Sequence, residues 1–169
     1  MAYTYSKISS VTVGSGGSPS IAFIAIPQNY TDLLVKLSTR DSRTDNQYGV
    51  LNVAFNGSPT YSGRIIYSVG STAGSTTAAG SWLYSNGNIS TSNTFSNAEI
   101  YIPNYTDGDY KSISADVAVE HNGASDNTLV LTAGSATLTG AITSITFTPN
   151  SGSLMQYSTA TLYGIKAEV

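Results

Sequence analysis

His121 is the only histidine of the chain, and it stands between Glu120 and the turn-forming pair Asn122-Gly123. A Ser-His-Asp arrangement would need it as the general base. Its place at a strand end beside a turn makes it an exposed turn residue instead. A single imidazole cannot supply the two or three of a usual histidine zinc site. The sequence has no cysteine, so thiolate ligands and a cysteine nucleophile are excluded. Ten carboxylates are scattered along the chain. Asp116 and Glu120 share one strand face, but four residues at ~3.3 Å each place them about 13 Å apart. That is too far for a retaining glycosidase pair and long for an inverting one. A glycan-degrading enzyme built on Asp116, Glu120 and His121 is therefore disfavoured. Asp107-Gly108-Asp109 and the stretch from Asp41 to Asp45 have a faint calcium-loop spacing. The remaining oxygen ligands of such a loop are missing, and turn chemistry explains these acids. Neither GxxxxGK[ST] nor GxGxxG before a helix occurs. No catalytic residue, metal or cofactor is expected.

The aromatic residues are the better candidates for contact. Trp82, Tyr84, Tyr101, Tyr105 and Tyr110 could stack on a sugar, and the same residue types populate subunit interfaces and cores.

The elements that must position these residues are strands. Leu33, Val35 and Leu37 alternate with Leu34, Lys36 and Ser38. Ile113, Ala115, Val117 and Val119 alternate with Ser112, Ser114, Asp116 and Ala118. This period of two gives each segment one inward face. Further strands are expected over 6–13, 21–26, 51–55, 64–69, 98–102, 128–132, 142–148 and 159–166, about ten in all. Asn56-Gly57 is a tight-turn signal because both positions favour positive φ, and Asp107-Gly108 and Asn122-Gly123 read alike. Gly70–Ser81 (GSTAGSTTAAGS) is low in complexity and reads as a flexible surface loop, the alternative being a loop ordered against a neighbouring subunit. No helical spacing persists beyond one turn. The fold class is all-β, with the many short strands and turn-rich joints of a sandwich or barrel, and residues 1–169 form one domain.

Composition narrows the partners. Charged residues are only 10% of the 169, against the usual ~25%. The net charge is −3 and no Lys/Arg run exists, so phosphate neutralisation cannot drive nucleic-acid binding. The longest apolar stretch, Ile21-Ala22-Phe23-Ile24-Ala25-Ile26, is far short of the ~20 residues of a membrane span. Residues 1–14 carry no apolar helical run, which favours synthesis in the cytoplasm without the usual export signal.

Two segments carry a resemblance. The first runs Ser20-Ile21-Ala22-Phe23-Ile24-Ala25-Ile26-Pro27-Gln28-Asn29-Tyr30-Thr31-Asp32-Leu33. The second comprises Ile142-Thr143-Ser144-Ile145-Thr146-Phe147, Tyr157-Ser158 and Ala160-Thr161-Leu162-Tyr163-Gly164-Ile165. With Asn104-Tyr105-Thr106 and Lys111-Ser112-Ile113-Ser114, they resemble a family of small structural proteins of tailed bacteriophages, common among marine and cyanobacterial phages. The likeness spans residues 5 to 167. It implies an antiparallel two-sheet β-sandwich, jelly-roll-like, on the outside of the virion, on the capsid or on the tail and its fibres, and it carries no catalytic residues. Gly164 within the last strand allows a close backbone approach.

The resemblance therefore implies a non-enzymatic virion protein assembled in the host cytoplasm. Capsid decoration is the leading reading. A tail or fibre-tip module that attaches to a host surface glycan or receptor is the alternative. Expected partners are copies of itself, a trimer among the candidates, and major capsid or tail proteins. Neither nucleic acid nor membrane insertion is expected. Tyr101, Tyr105 and Tyr110 are the candidate oligomer contacts.

Overall fold

The computed structural model describes residues 3–57, 60–120, 122 and 127–167. Twelve strands form two antiparallel sheets, and no helix occurs among the described residues. The strands are β1 (Tyr3–Thr12), β2 (Ile21–Phe23), β3 (Asp32–Thr39), β4 (Tyr48–Phe55), β5 (Tyr61–Val69) and β6 (Thr72–Ala78). They continue with β7 (Ser81–Asn86), β8 (Ser96–Ile102), β9 (Lys111–Val119), β10 (Thr128–Ala136), β11 (Ile145–Pro149) and β12 (Thr159–Ala167). The larger sheet has the order β1-β12-β3-β8-β9-β10-β5-β6, and the smaller one β2-β11-β4-β7.

One apolar core draws on both sheets, with Leu33, Val35, Ile100 and Leu162 from the larger and Leu51, Phe55, Leu83 and Phe147 from the smaller. Strand β9 is the plainest case of the expected alternation. Ile113, Ala115, Val117 and Val119 are buried, while Ser112, Ser114 and Asp116 are exposed. The group that comes close to Gly164 is a side-chain ring and not the expected backbone. A Cβ at this position would overlap the ring of Tyr30, so glycine is what lets that ring close over the last strand.

Several expectations are corrected. Among the described residues there are twelve strands, not ten, because β6 and β7 were not expected. The Gly70–Ser81 segment is not a free loop. It contains β6, which pairs with β5 from Gly63↔Ala78 to Val69↔Thr72. Its small and hydroxyl side chains carry no alternation because β6 is an edge strand with mostly exposed residues. Strand β2 stops at Phe23 because Ala25 takes a left-handed φ of 51°. Asn56 and Gly57 do have positive φ, 48° and 107°. They do not close a hairpin, since β4 and β5 belong to different sheets. Asn56 instead anchors the chain as it crosses, with Oδ1 accepting from Thr143 N and Ser144 N and Nδ2 donating to Ala141 O. In the 104–107 turn the positive φ falls on Asn104, at 47°, and not on Gly108.

Candidate binding surfaces

Five aromatic residues were candidates for a sugar-stacking platform or for core and interface packing, and the fold separates them. Trp82 lies in β7, with its side chain outside the described residues. Tyr105 is fully buried, and its hydroxyl donates to Pro27 O. It belongs to the core and offers nothing to a partner. Tyr110 is 62% exposed on the segment between β8 and β9. Tyr101 is half-buried on the outer face of the larger sheet, where its hydroxyl donates to Asp32 Oδ2 at 2.7 Å. Tyr84 lies on the smaller sheet. The segment after β7 and the segment after β8 lie at opposite ends of β8, whose seven residues span about 20 Å at ~3.3 Å each. They cannot form one platform.

The acids are also placed by the fold. Asp116 does not face Glu120; it lies directly across from Glu99 on β8. The Glu120 carboxylate accepts from Asn122 N within its own turn. Glu99 pairs with Lys36 at 2.8 Å, and this hydrogen bond raises the Lys36 ammonium above its ordinary value. Lys36, Glu99 and Asp116 thus form a charged row across β3, β8 and β9. A shallow hollow lies on each side of Glu99. One, of about 300 Å³, includes Tyr101, Ser114, Asp116 and Leu131. The other, of about 340 Å³, includes Tyr5, Leu34, Lys36 and Tyr163. His121 and Asp126 lie outside the described residues.

Both stretches with calcium-like spacing are occupied by the protein's own groups. Lys111 is 1% exposed, and its ammonium donates to Asp107 O and Asp109 O, each at 2.5 Å. The cation of that turn is a lysine. The buried carboxylate of Asp41 accepts from Ser85 Oγ and, at 3.0 Å, from Arg43 N. Burial raises Asp41 above its ordinary value. Asp45 pairs with Arg43 Nε at 3.2 Å. Among the described residues, no group of three or more potential metal-binding side chains is found.

Arg40 organises the segment that joins β7 to β8. Only 5% of it is exposed. Its guanidinium donates to the carbonyls of Asn88, Ser90, Thr91 and Thr94 at 2.8 to 3.0 Å. Burial lowers the guanidinium below its ordinary value, and Asp41 opposes the shift. A planar fork of donors suits several convergent carbonyls, which a point-charge ammonium cannot span. The result is a fixed loop that exposes Asn88, Ile89, Thr91, Ser92 and Asn93.

Two further features escaped the sequence reading. In the first half of β10 the buried positions are Thr128, Val130 and Thr132, while Leu129 and Leu131 point outward with 58% and 60% exposure. Ile66, paired across from Leu131, is 61% exposed. The outer face is here more apolar than the inner one. The run Thr128-Leu129-Val130-Leu131-Thr132, apolar on both faces, was the available signal. The second feature is a cavity of about 160 Å³ lined by Tyr48, Tyr67, Tyr84, Thr76, Thr128 and the valines 69 and 130. Tyr48 and Tyr84 meet edge to face, with centroids 5.4 Å apart at 64°. Burial raises the Tyr84 phenol, and Tyr48 and Tyr67 add to the shift. Nothing in the sequence linked these three tyrosines, because they come from β4, β5 and β7.

Compared with known proteins, the chain matches no family model, no curated protein and no solved structure.

Proposed function

We propose that this chain is a non-enzymatic structural protein of a tailed-bacteriophage virion, a jelly-roll-like β-sandwich that decorates the capsid surface and associates with copies of itself. The resemblance in sequence motivates the virion assignment. The observation that carries the adhesive role is the outward aliphatic strip of Ile66, Leu129 and Leu131, three neighbours on β5 and β10, each about 60% exposed. Contiguous exposed aliphatics of this kind mark contact surfaces.

A second copy is the occupant that the charges favour. Arg64 flanks the strip on β5, and Asp116 flanks it on β9, beside Leu131. A two-fold axis along β10 lays the β5 flank of one copy on the β9 flank of the other. Arg64, level with Ala133, then lies two residues (about 7 Å) along the strands from Asp116 of the second copy, within reach of its long side chain, and the contact occurs twice, as an isologous interface requires. Leu131→Asp tests the contact, since an exposed site tolerates the change without unfolding. Analytical ultracentrifugation should show an oligomer for the parent chain and a monomer for the variant. An oligomer unaffected by the substitution refutes this surface. The location has its own test. Cryo-electron microscopy of the particle should place the chain on the capsid, and density confined to the tail refutes decoration.

The second reading, a tail or fibre-tip module for a host glycan or receptor, is favoured by the Arg40-held loop. Its exposed amide, hydroxyl and isoleucine side chains are pre-ordered for contact, which lowers the entropic cost of binding. Adsorption of the purified protein to host cells tests it, and absence of adsorption refutes it.

A further inference from the structure

From the tyrosine-lined cavity we infer a binding site for one neutral sugar residue, a hexose or N-acetylhexosamine, between Tyr48, Tyr67 and Tyr84. It stands apart from the aliphatic strip and holds for a capsid or a tail location.

Size is the first argument. At about 160 Å³, the cavity holds roughly five waters at ~30 Å³ each. It is smaller than the ~300–1,000 Å³ of sites for drug-sized ligands. A single ring or an acetamido group is the matching class.

Chemistry is the second. Among the described residues, no charged side chain lines the cavity, so none of them offers a counter-ion to an anion or a cation. The valines at 69 and 130 and the aromatic rings supply apolar walls. Among the described residues, the hydroxyls of Tyr48, Tyr67 and Tyr84 have no hydrogen-bond partner. Each remains able to donate and to accept. A pyranose presents the same combination in reverse, with C–H faces set between hydroxyl groups. The rings resist displacement as well. Tyr67 lies against Gly74 on β6, where a Cβ would come within 2.7 Å of its hydroxyl oxygen and 2.8 Å of the adjoining ring carbon. Tyr48 and Tyr84 brace one another. The cavity adjoins the end of β7 from which the Arg40-held loop departs, so a sugar at the end of a longer chain could run on across that loop.

The test uses saturation-transfer NMR on the whole protein with glucose, galactose, N-acetylglucosamine and choline as separate ligands. The expected result is saturable transfer from at least one neutral sugar. Tyr84→Phe removes one hydroxyl and leaves the ring, so it should weaken that binding about fivefold to tenfold, the share of one neutral hydrogen bond. Its thermal unfolding should match the parent, which separates lost binding from lost fold. No transfer from any neutral sugar at tens of millimolar overturns the inference. So does transfer unchanged in both Tyr84→Phe and Tyr48→Phe, or binding of choline alone, which would make the cavity a cation-binding aromatic cage. Sugar binding without host-cell adsorption would sink the tail-tip reading and leave this site standing.

Discussion

Replacing Arg40 by Met keeps much of the aliphatic stem and removes the guanidinium that holds the loop after β7. The four carbonyls it serves belong to Asn88, Ser90, Thr91 and Thr94. Hydrogen bonds to a charged donor are worth about 1.5–3 kcal/mol each, so a simple sum gives about 6–12 kcal/mol. That sum is too large, because Asn88 and Thr91 are exposed and their carbonyls can turn to water. Ser90 is buried and Thr94 half-buried. Their two carbonyls would lose partners at about 1–3 kcal/mol each. Relief from burying a charge opposes part of this. The net loss should be about 3–4 kcal/mol, within the range for removing one partner of a buried ionic contact. For a chain of this size that lowers Tm by about 6–16 °C. Differential scanning calorimetry at pH 7 measures it, and amide hydrogen exchange should locate the loosening at residues 88–94. Arg40→Lys should recover no more than half, since one ammonium cannot reach all four carbonyls. A Tm within about 3 °C of the parent for Arg40→Met would refute the claim that this side chain holds the loop.

Two other outcomes follow from the packing and the ionisation. Gly164→Ala drives a methyl into the Tyr30 ring and should cost about 2–3 kcal/mol in urea unfolding; adding Tyr30→Ala should cost little more, and full additivity would show that the two residues do not meet. Asp41 is raised above its ordinary 3.8 by burial, so its folded form holds the proton longer than its unfolded form. Its contribution to stability is therefore complete below the unfolded value and is lost as pH rises through the raised folded value. Asp41→Asn should remove this slope from the pH profile of Tm between acid and neutral pH, and an unchanged profile would refute the assignment.

The alternation in the sequence carried much of the fold. Where inward residues are aliphatic and outward ones polar, as on β9, the strand and its face were legible residue by residue. Where both faces are alike, the signal failed in two opposite ways. Strand β6 is small and polar on both faces and looked like a loop. Strand β10 is apolar on both, so its outward leucines were hidden among core residues. The candidate site was less legible. Of the five aromatic residues singled out, Tyr105 turned inward and Tyr84 joined two tyrosines from distant strands. Tyr101 and Tyr105 are only four positions apart, yet one lies on the sheet face and the other under the following turn.

By itself the sequence determined that the chain would be built from strands and without disulfides. These are local or compositional properties. A side-chain period of two and an absence of cysteine need no knowledge of neighbours. Tertiary structure alone decided the strand order, and with it every cross-strand encounter that matters: Glu99 opposite Asp116, Ile66 beside Leu131, and Tyr48, Tyr67 and Tyr84 around one cavity. The physical reason is that a period of two sorts residues between two faces without saying which face turns inward. That choice depends on which strands pair and what covers them, and segments far apart in the chain settle it together.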